Sequence, residues 1–470
     1  METALSSSQA YRPRQRKCYA VWEITLKCNL ACTHCGSRAG DARSNELSTA
    51  EAFDLVHQMA DAGITEVTLI GGEAYLRKDW LEIAREIVKA GMVCSMTTGG
   101  YGISLTTAER MKAAGINQIS VSVDGMKATH DRLRGKLDSW RQAFTTMQHL
   151  RTVGIPFGAN TQVNRYSAPE FALLYEALLK AGAQAWQIQM TVPMGNAADN
   201  SDMLLQPAEL INFHPLLAYL AQRGHHEGLI VQPGNNFGYY GPYDRLLRSF
   251  GRKNNEWAFW RGCSAGLATI GIEADGIIKA CPSLPTSAYS GGNIRDHSLA
   301  EILTEREELT FNLNAGTAEA TAHLWGFCKT CDFAELCRGA CNWTAHVFFD
   351  KRGNNPYCHH RSLVNAAHGI REHLSMKRQA SGLPFDNGEF TITELPFDTT
   401  WGDDPMHFTL DKVQWPSTWE KDVPVILERL QHEIRNNIAN TQKALGLTAD
   451  NYPAKSTEAD CYVHSPFLGV

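Results

Sequence analysis

The strongest constraint on this chain is a set of three closely spaced cysteines near its start. Cys28, Cys32 and Cys35 lie within eight residues and follow an apolar run. Three thiolates are too few to close a tetrahedral zinc site, but they can bind three irons of a cubane cluster and leave the fourth iron open to another ligand. From this loop alone, a zinc knuckle that lacks one ligand and a chance grouping are the alternatives.

Length and charge limit the classes of function. A chain of 470 residues is long enough for two or three domains, and its net charge of −6 offers no basic surface for nucleic acid. We expect no membrane partner, because no run of eighteen apolar residues occurs and the polar start, Met1–Gln9, lacks the apolar core of a secretory signal. A cytoplasmic protein is therefore expected. Its thirteen cysteines are then predicted to stay reduced for metal binding.

Strand and helix patterns alternate through the first two hundred residues. The predicted strands are Tyr19–Thr25, Glu66–Ile70, Val93–Thr97, Gln118–Val123, Phe157–Val163 and Trp186–Met190. The predicted helices are Ser48–Ala62, Trp80–Lys89, Thr106–Ala114, Ser139–Val153 and Pro169–Ala181. This alternation predicts an α/β fold, a partial (β/α)6 TIM-type barrel whose chemistry lies at the carboxyl ends of the strands.

Several candidate residues stand at those strand ends. Gly71, Gly72 and Glu73 follow the second strand, where two positions without side chains let a ligand approach the backbone and a carboxylate can accept from an ammonium group. A glycine pair also marks ordinary turns. Further candidates at later strand ends, or shortly beyond them, are Ser122, Asp124, Arg134, Asn164, Gln189, Pro193 and Gly195. A helix cap for Asp124 and a solvated position for Arg134 are equally open.

The cysteine loop resembles the cluster motif of the radical S-adenosylmethionine (radical SAM) enzymes. In that family the open iron chelates SAM, and an electron from the reduced cluster cleaves it to methionine and a 5'-deoxyadenosyl radical. Gly71-Gly72-Glu73 is similar to the family's GGE motif, which binds the amino group of SAM, although Ala74 replaces the usual proline. The resemblance implies ribose and carboxylate contacts for Ser122, Asp124 and Arg134, and adenosine contacts near Asn164, Gln189, Pro193 and Gly195.

A second group of seven cysteines resembles the SPASM domain that follows the barrel in many of these enzymes. The resemblance implies two auxiliary [4Fe-4S] clusters, the first bound by Cys263, Cys281 and Cys341 and the second by Cys328, Cys331, Cys337 and Cys358. Structural zinc is the alternative for such spacing. The first auxiliary cluster is expected to keep an open iron, because residues 253–260 contain no cysteine. The run Ile270–Cys281 predicts a β-hairpin with its turn at Asp275-Gly276.

The predicted organisation is an N-terminal arm (1–17), the barrel (18–250), the SPASM domain (251–365) and an extension of unassigned role (366–470). The aromatic loop 233–243 is expected to pack on itself, with a substrate groove as the alternative. Residues 382–405 are interpreted as a linker or wrapping loop, followed by a helix over Asp422–Leu445. Cys94 is expected to be a buried apolar residue, and Cys18 and Cys461 are left unassigned.

The predicted function is that of a radical SAM enzyme, with three [4Fe-4S] clusters and SAM, that modifies a peptide or protein side chain. The product would be a thioether, a carbon–carbon crosslink or an oxidised residue, and the electron source an external reductant of the flavodoxin or ferredoxin type. Oxidation of a sulfatase-like side chain or a small metabolite is the alternative reaction. An iron–sulfur carrier without SAM chemistry is the alternative class, which would not need Glu73. Asp275, Tyr239 and His297 are considered as a general base, and none is selected.

Overall fold

The computed structural model describes residues 18–249, 262–313, 317–397 and 404–447. The strands are β1 Cys18–Glu23, β2 Ile64–Ile70, β3 Val93–Thr98, β4 Gln118–Ser122, β5 Phe157–Val163, β6 Ala185–Met190, β7 Ile230–Pro233, β8 Thr269–Ile272, β9 Ile277–Lys279, β10 Ser290–Asn293, β11 Ile370–Arg378 and β12 Glu389–Pro396. The α-helices are α1 Thr49–Asp61, α2 Trp80–Lys89, α3 Leu105–Ala113, α4 Lys127–Leu133, α5 Ser139–Val153, α6 Phe171–Ala181, α7 Asn196–Asp199, α8 Leu210–Glu227, α9 Asp244–Ser249, α10 Thr286–Tyr289, α11 Leu299–Glu305, α12 Glu307–Thr310, α13 Phe327–Thr330, α14 Ala334–Cys337, α15 Asn342–Phe349, α16 His359–Ala367 and α17 Val423–Ala444.

One continuous sheet organises the chain, in the order β10-β9-β8-β1-β2-β3-β4-β5-β6-β7. Strands β1 to β7 are parallel and neighbour one another in sequence order. Because such crossovers are right-handed, the connecting helices lie on one face of the sheet. All six predicted strands form. The structure adds a seventh parallel strand, β7, in the stretch 196–260 that the sequence pattern left as a connection.

The two faces of the sheet differ in chemistry. Alternate residues such as Val67, Leu69 and Val121 are fully buried in the main hydrophobic core, on the helix side. Most of the other positions face inward and are polar: Glu23, Glu66, Thr68, Ser95, Thr97, Ser120, Ser122, Asn160, Gln162, Gln187, Gln189 and Gln232. Apolar residues share this face at Val21, Ile70, Ala185 and Ile230. No lysine or arginine stands at an inner position of β1–β7, within the bounds that the structure gives these strands.

The cysteine-rich region shares this sheet. Strand β8 pairs in parallel with β1, with Tyr19 opposite Thr269, and β9 returns antiparallel to β8. The predicted hairpin is therefore confirmed, and Gly276 takes a φ of +92° at its turn, a conformation that favours glycine. The regions on either side of the predicted domain boundary at residue 251 thus contribute strands to the same sheet.

The C-terminal region packs against the body. Strands β11 and β12 form an antiparallel hairpin, so residues 389–396 of the predicted linker are a strand. Their alternating pattern is short and flanked by Gly, Pro and Asp, which hides it in the sequence. The predicted helix forms as α17 and buries Ile426 and Leu430 against the core. None of the helices in the described ranges is long and apolar enough to cross a membrane.

Candidate active site

The three-cysteine loop lies at the carboxyl end of β1, as predicted. Its backbone is held by the C-terminal end of α4, since the N–H groups of Ala31 and Thr33 donate to the carbonyls of Arg134 and Leu133 at 3.1 and 2.9 Å. Every cysteine sulfur of the loop accepts an N–H group: Leu30 N–H to Cys28 Sγ at 3.4 Å, Arg134 Nη1 to Cys32 Sγ at 3.8 Å, and Ala39 N–H to Cys35 Sγ at 3.4 Å. Donors aimed at sulfur stabilise thiolates that bind an iron–sulfur cluster.

Burial of these thiols favours metal binding over free thiolate. Burial raises the pKa of Cys28 to about 11 and that of Cys32 to about 12, so without a metal both side chains stay protonated at neutral pH. A bound cation reverses this preference, because thiolates are its ligands. The three sulfurs and their donors therefore fit a [4Fe-4S] cluster held by three cysteines.

The Gly71-Gly72-Glu73 turn packs directly on the cysteine loop. The N–H groups of Gly72 and Glu73 donate to the carbonyls of Thr25 and Lys27, each at 2.8 Å. A β-carbon at Gly71 or Gly72 would lie 2.4 Å from the same carbonyl oxygens. The two glycines are thus required because the cysteine loop approaches the turn so closely. The predicted reason, the approach of a ligand to the backbone, was wrong.

Glu73 is a buried carboxylate beside this loop. The Thr98 hydroxyl and the Gly99 N–H donate to its two oxygens, and its side chain is almost fully enclosed. Burial raises the pKa of Glu73 to about 7 despite these donors. A cationic ligand arriving here would favour the ionised form, as expected of a group that binds an ammonium.

Asp124 and Arg134 form a buried ion pair next to the cysteine loop. Arg134 Nε lies 2.7 Å from Asp124 Oδ2, and His34 Nε2 lies 3.2 Å from the same oxygen. Burial opposes the charge on Asp124, but Arg134 and His34 hold its pKa well below the ordinary value. The structure thus brings both predicted residues to the site and shows that Asp124 orients Arg134 toward Cys32. His34 was not predicted, although its place between two of the cysteines was the available signal.

The remaining predicted cofactor residues divide into two groups. Ser122 and Gln189 lie on the inner face, where Gln162 Nε2 donates to Gln189 Oε1 at 3.3 Å. Asn164 is different: its side-chain oxygen accepts the N–H groups of Tyr166 and Ser167 at 3.0 and 3.2 Å. Asn164 is also fully buried, so the structure gives it a local capping role, and its adenosine contact stays a prediction.

Gly195, with its neighbour Pro193, lies in the loop after β6 and meets the cysteine loop rather than open space. A β-carbon at Gly195 would stand 2.4 Å from the carbonyl oxygens of both Cys35 and Gly36. Its φ of +57° also favours glycine. The element that resembles an adenosine-binding motif therefore supports the backbone of the third cysteine.

The second predicted cysteine set comes together completely. Cys328, Cys331, Cys337 and Cys358 line one pocket. Its other walls are mainly aromatic, contributed by Tyr239, Phe327, Phe333 and His360. Four thiols around one mainly apolar pocket fit a fully ligated [4Fe-4S] cluster.

A buried arginine that the sequence did not reveal stands beside this pocket. Arg361 donates to Glu372 Oε1 at 2.7 Å and to the carbonyl of Asn355, a lining residue, at 3.1 Å. Its guanidinium lies 5.2 Å from the centre of the Phe327 ring. The charge of Arg361 is thus fixed next to the four thiols.

Cys263, Cys281 and Cys341 also lie close together. Burial and, to a smaller extent, the neighbouring Cys263 and Cys281 raise the pKa of Cys341 to about 12. Residues 253–260 lie outside the described residues, so the open iron of this first auxiliary cluster stays a prediction.

The cysteines outside the two groups are Cys18, Cys94 and Cys461. Cys94 is fully buried in β3, as expected of an apolar residue. The side chain of Cys18 and all of Cys461 lie outside the described residues.

The aromatic loop 233–243 packs on itself in part. Tyr240 is fully buried and its hydroxyl donates to the carbonyl of Gly234 at 2.8 Å, whereas Tyr239 lines the four-thiol pocket.

The residues considered as a general base have other partners or lie elsewhere. Asp275 Oδ2 accepts a hydrogen bond from Arg43 Nη1 at 2.9 Å. His297 interacts with Arg306 at an exposed position. The geometry selects none of the three residues considered as a general base.

Comparison with known proteins agrees with this site. The radical SAM superfamily matches residues 22–163, and the family described as an iron-sulfur cluster-binding domain, SPASM, matches residues 263–332. The chain therefore carries a radical SAM domain, the class that its sheet and cysteine loop define. More particularly, it also carries a SPASM domain, which follows the radical SAM domain along the chain. These families imply [4Fe-4S] clusters and SAM binding.

Its relatives differ in what they make. The chain is 29% identical over 363 residues to an AdoMet-dependent heme synthase of Nitratidesulfovibrio vulgaris, covering 73% of this chain and 92% of that protein. It is 27% identical over 329 residues to the mycofactocin maturase MftC of Mycolicibacterium smegmatis, covering 68% and 77%. The solved structure of anSMEcpe with bound AdoMet has a TM-score of 0.57 at 17% identity, covering 72% of this chain and 93% of that one.

Proposed function

We propose that this chain is a radical SAM enzyme that modifies a side chain of a peptide or protein. With its cluster and SAM bound, such a site supplies a 5'-deoxyadenosyl radical that removes hydrogen from an unactivated carbon. In this chain Glu73 would accept from the amino group of SAM, and Arg134, oriented by Asp124, would face its carboxylate. The half-buried inner face of the sheet would hold the substrate.

The composition of the inner face is the observation that carries the substrate class. Its strand positions offer hydroxyls, amides and the carboxylate of Glu66, which suit the hydrogen-bonding groups of a peptide, whereas the buried Glu23 lies beside Arg43. Tetrapyrroles with several carboxylate side chains need cationic partners, and the described inner positions of β1–β7 carry no lysine or arginine. The second candidate is nevertheless a tetrapyrrole side chain, favoured by the extent of the similarity to the heme synthase.

We further propose three [4Fe-4S] clusters, two of them in the cysteine-rich region, and an external one-electron reductant of the flavodoxin or ferredoxin type. The four-thiol pocket would hold a cluster suited to electron transfer, because no iron there is left open. It would take up the electron released when the substrate is oxidised.

The test uses anaerobically reconstituted protein with a chemical reductant and SAM, and measures 5'-deoxyadenosine. Wild type should form it, whereas the triple variant Cys28→Ala, Cys32→Ala, Cys35→Ala should form none and keep about two clusters' worth of iron. The substrate class is tested by adding either peptides encoded by short reading frames beside this gene or an iron porphyrin with propionate side chains. We expect the peptides to accelerate deoxyadenosine formation; acceleration by the porphyrin alone would refute the peptide proposal.

A further inference from the structure

The tip of the C-terminal hairpin, residues 381–388, lies on the three-cysteine loop. The Phe385 N–H donates to the carbonyl of Gly36 at 3.1 Å, and the Gly195 N–H donates to the carbonyl of Asp386 at 2.8 Å. Asn387 forms an isolated antiparallel bridge with Met194. The hairpin tip thus joins the cysteine loop to the loop after β6, although it is about 350 residues distant in sequence.

Arg38 is the residue on which these three segments converge. Its Nε lies 3.1 Å from Asp386 Oδ1, its Nη2 lies 3.1 Å from Asp199 Oδ1, and its Nη1 lies 3.0 Å from Asn196 Oδ1. The side chains of Arg38 and Asp386 are 13% and 8% exposed, whereas that of Asp199 is 48% exposed. The pair with Asp386 is therefore the better shielded from solvent, whereas Asp199 contacts the guanidinium through both of its carboxylate oxygens.

Asp386 is itself held in place by the tip. Its Oδ2 accepts the Ser381 hydroxyl and the Leu383 N–H, each at 3.1 Å. The neighbouring Phe385 ring lies 3.9 Å from Lys279 Nζ, which attaches the tip to β9. A carboxylate fixed by its own loop gives Arg38 a rigid partner.

This arrangement acts on the third cysteine. Arg38 is three residues beyond Cys35, and its own N–H donates to the Cys35 carbonyl at 3.4 Å, beside the Asn196 N–H at 2.9 Å. Arg38 also has a φ of +49°, which a residue with a side chain adopts only when its surroundings hold it there. Release of the guanidinium would therefore loosen the loop next to Cys35.

We propose that the hairpin tip is part of the cluster site and that Asp386, acting through Arg38, is a positioning residue for Cys35. The proposal rests on the proposed radical SAM function only in requiring a cluster on the three cysteines. A cluster with three protein ligands depends on every one of them, so loosening of Cys35 should make this cluster labile while the four-thiol cluster is unaffected.

The test measures how fast iron passes from the reconstituted, SAM-free holoenzyme to a ferrous chelator under anaerobic conditions. The iron of the three-cysteine cluster is the fraction that the Cys28, Cys32 and Cys35 triple variant lacks. Asp386→Ala and the isosteric Asp386→Asn should both lose this fraction about tenfold faster than wild type. Asp386→Glu should restore the slow rate in part. Asp199→Asn, which alters the exposed partner of the same arginine, is the matched control and should change the rate less than threefold.

The remaining iron reports on folding, since a variant that is globally destabilised would lose iron from all sites together. Wild-type rates in both Asp386→Ala and Asp386→Asn would overturn the proposal, as would equal acceleration of all the iron. The assay requires no substrate, so its outcome does not depend on the peptide proposal. If the triple variant binds as much iron as wild type, the radical SAM assignment itself fails, which is a different result.

Discussion

The contact between the Gly71-Gly72-Glu73 turn and the cysteine loop leads to a quantitative prediction for Gly72→Ala. A β-carbon at this position would lie 2.4 Å from the carbonyl oxygen of Lys27 and 2.6 Å from that of Leu26. Both obstacles are backbone atoms, which cannot rotate away as a flexible side chain can. The turn and the cysteine loop must therefore separate by about 1 Å.

The cost follows from the interactions that such a separation breaks. Two hydrogen bonds of 2.8 Å link the turn to the loop, from the N–H groups of Gly72 and Glu73. Each contributes about 1 kcal/mol to stability. Overpacking of a buried position adds about 1–3 kcal/mol, so the expected loss of unfolding free energy is about 3–5 kcal/mol.

Gly40→Ala provides the matched control, because Gly40 ends the same loop and a β-carbon there meets nothing within 4 Å. Urea unfolding of the metal-free protein, followed by tryptophan fluorescence, should show the full loss for Gly72→Ala and a change within about 0.5 kcal/mol for Gly40→Ala. After reconstitution, Gly72→Ala should also contain less iron. Equal unfolding midpoints for the two variants would show that the turn does not hold the loop.

Three further predictions concern other parts of the site. Burial raises the pKa of Glu73 to about 7 from an ordinary value of 4.5, so the folded state loses stability as the pH rises from about 4.5 through 7. In urea unfolding of the metal-free protein, the stability of Glu73→Gln relative to wild type should therefore increase by about 3 kcal/mol between pH 4 and pH 8. A difference in stability that does not change with pH would contradict the prediction. Arg361→Gln removes the cation beside the four-thiol pocket. An electron paramagnetic resonance titration should then show a ratio of reduced to oxidised cluster at least about tenfold smaller at a fixed potential, equivalent to a potential about 59 mV lower. An unchanged potential would mean that the arginine is only structural. Asn164→Ala should lower stability by about 1 kcal/mol and leave the KM for SAM unchanged, whereas a raised KM with unchanged stability would restore the predicted cofactor contact.

The parts of the structure that could be predicted are those encoded by local pattern. Strands β1 to β6 follow from short β-branched runs between amphipathic helices, and the helix Ser139–Val153 forms with its predicted bounds. The four cysteines of this pocket could be grouped because the order and spacing of the seven cysteines resemble those of the SPASM domain.

Other features depend on contacts that no local pattern records. Strand β7 is four residues long and ends in proline, so its sequence does not differ from that of a loop. Asp124 could be placed at a strand end, but its partner Arg134 comes from the end of a separate helix, α4. The contact between Arg38 and Asp386 joins residues 348 positions apart. Such long-range pairs become visible only when the strands are assembled.

The pairing of β8 with β1 has a mechanical consequence. Adjacent strands are held about 4.8 Å apart by their ladder of hydrogen bonds. The three-cysteine loop emerges from β1, and Cys281 follows the hairpin that begins with β8, so the two metal-binding regions cannot swing apart unless the ladder between Tyr19 and Thr269 opens. The separation of these two cysteine groups is thus set by the sheet.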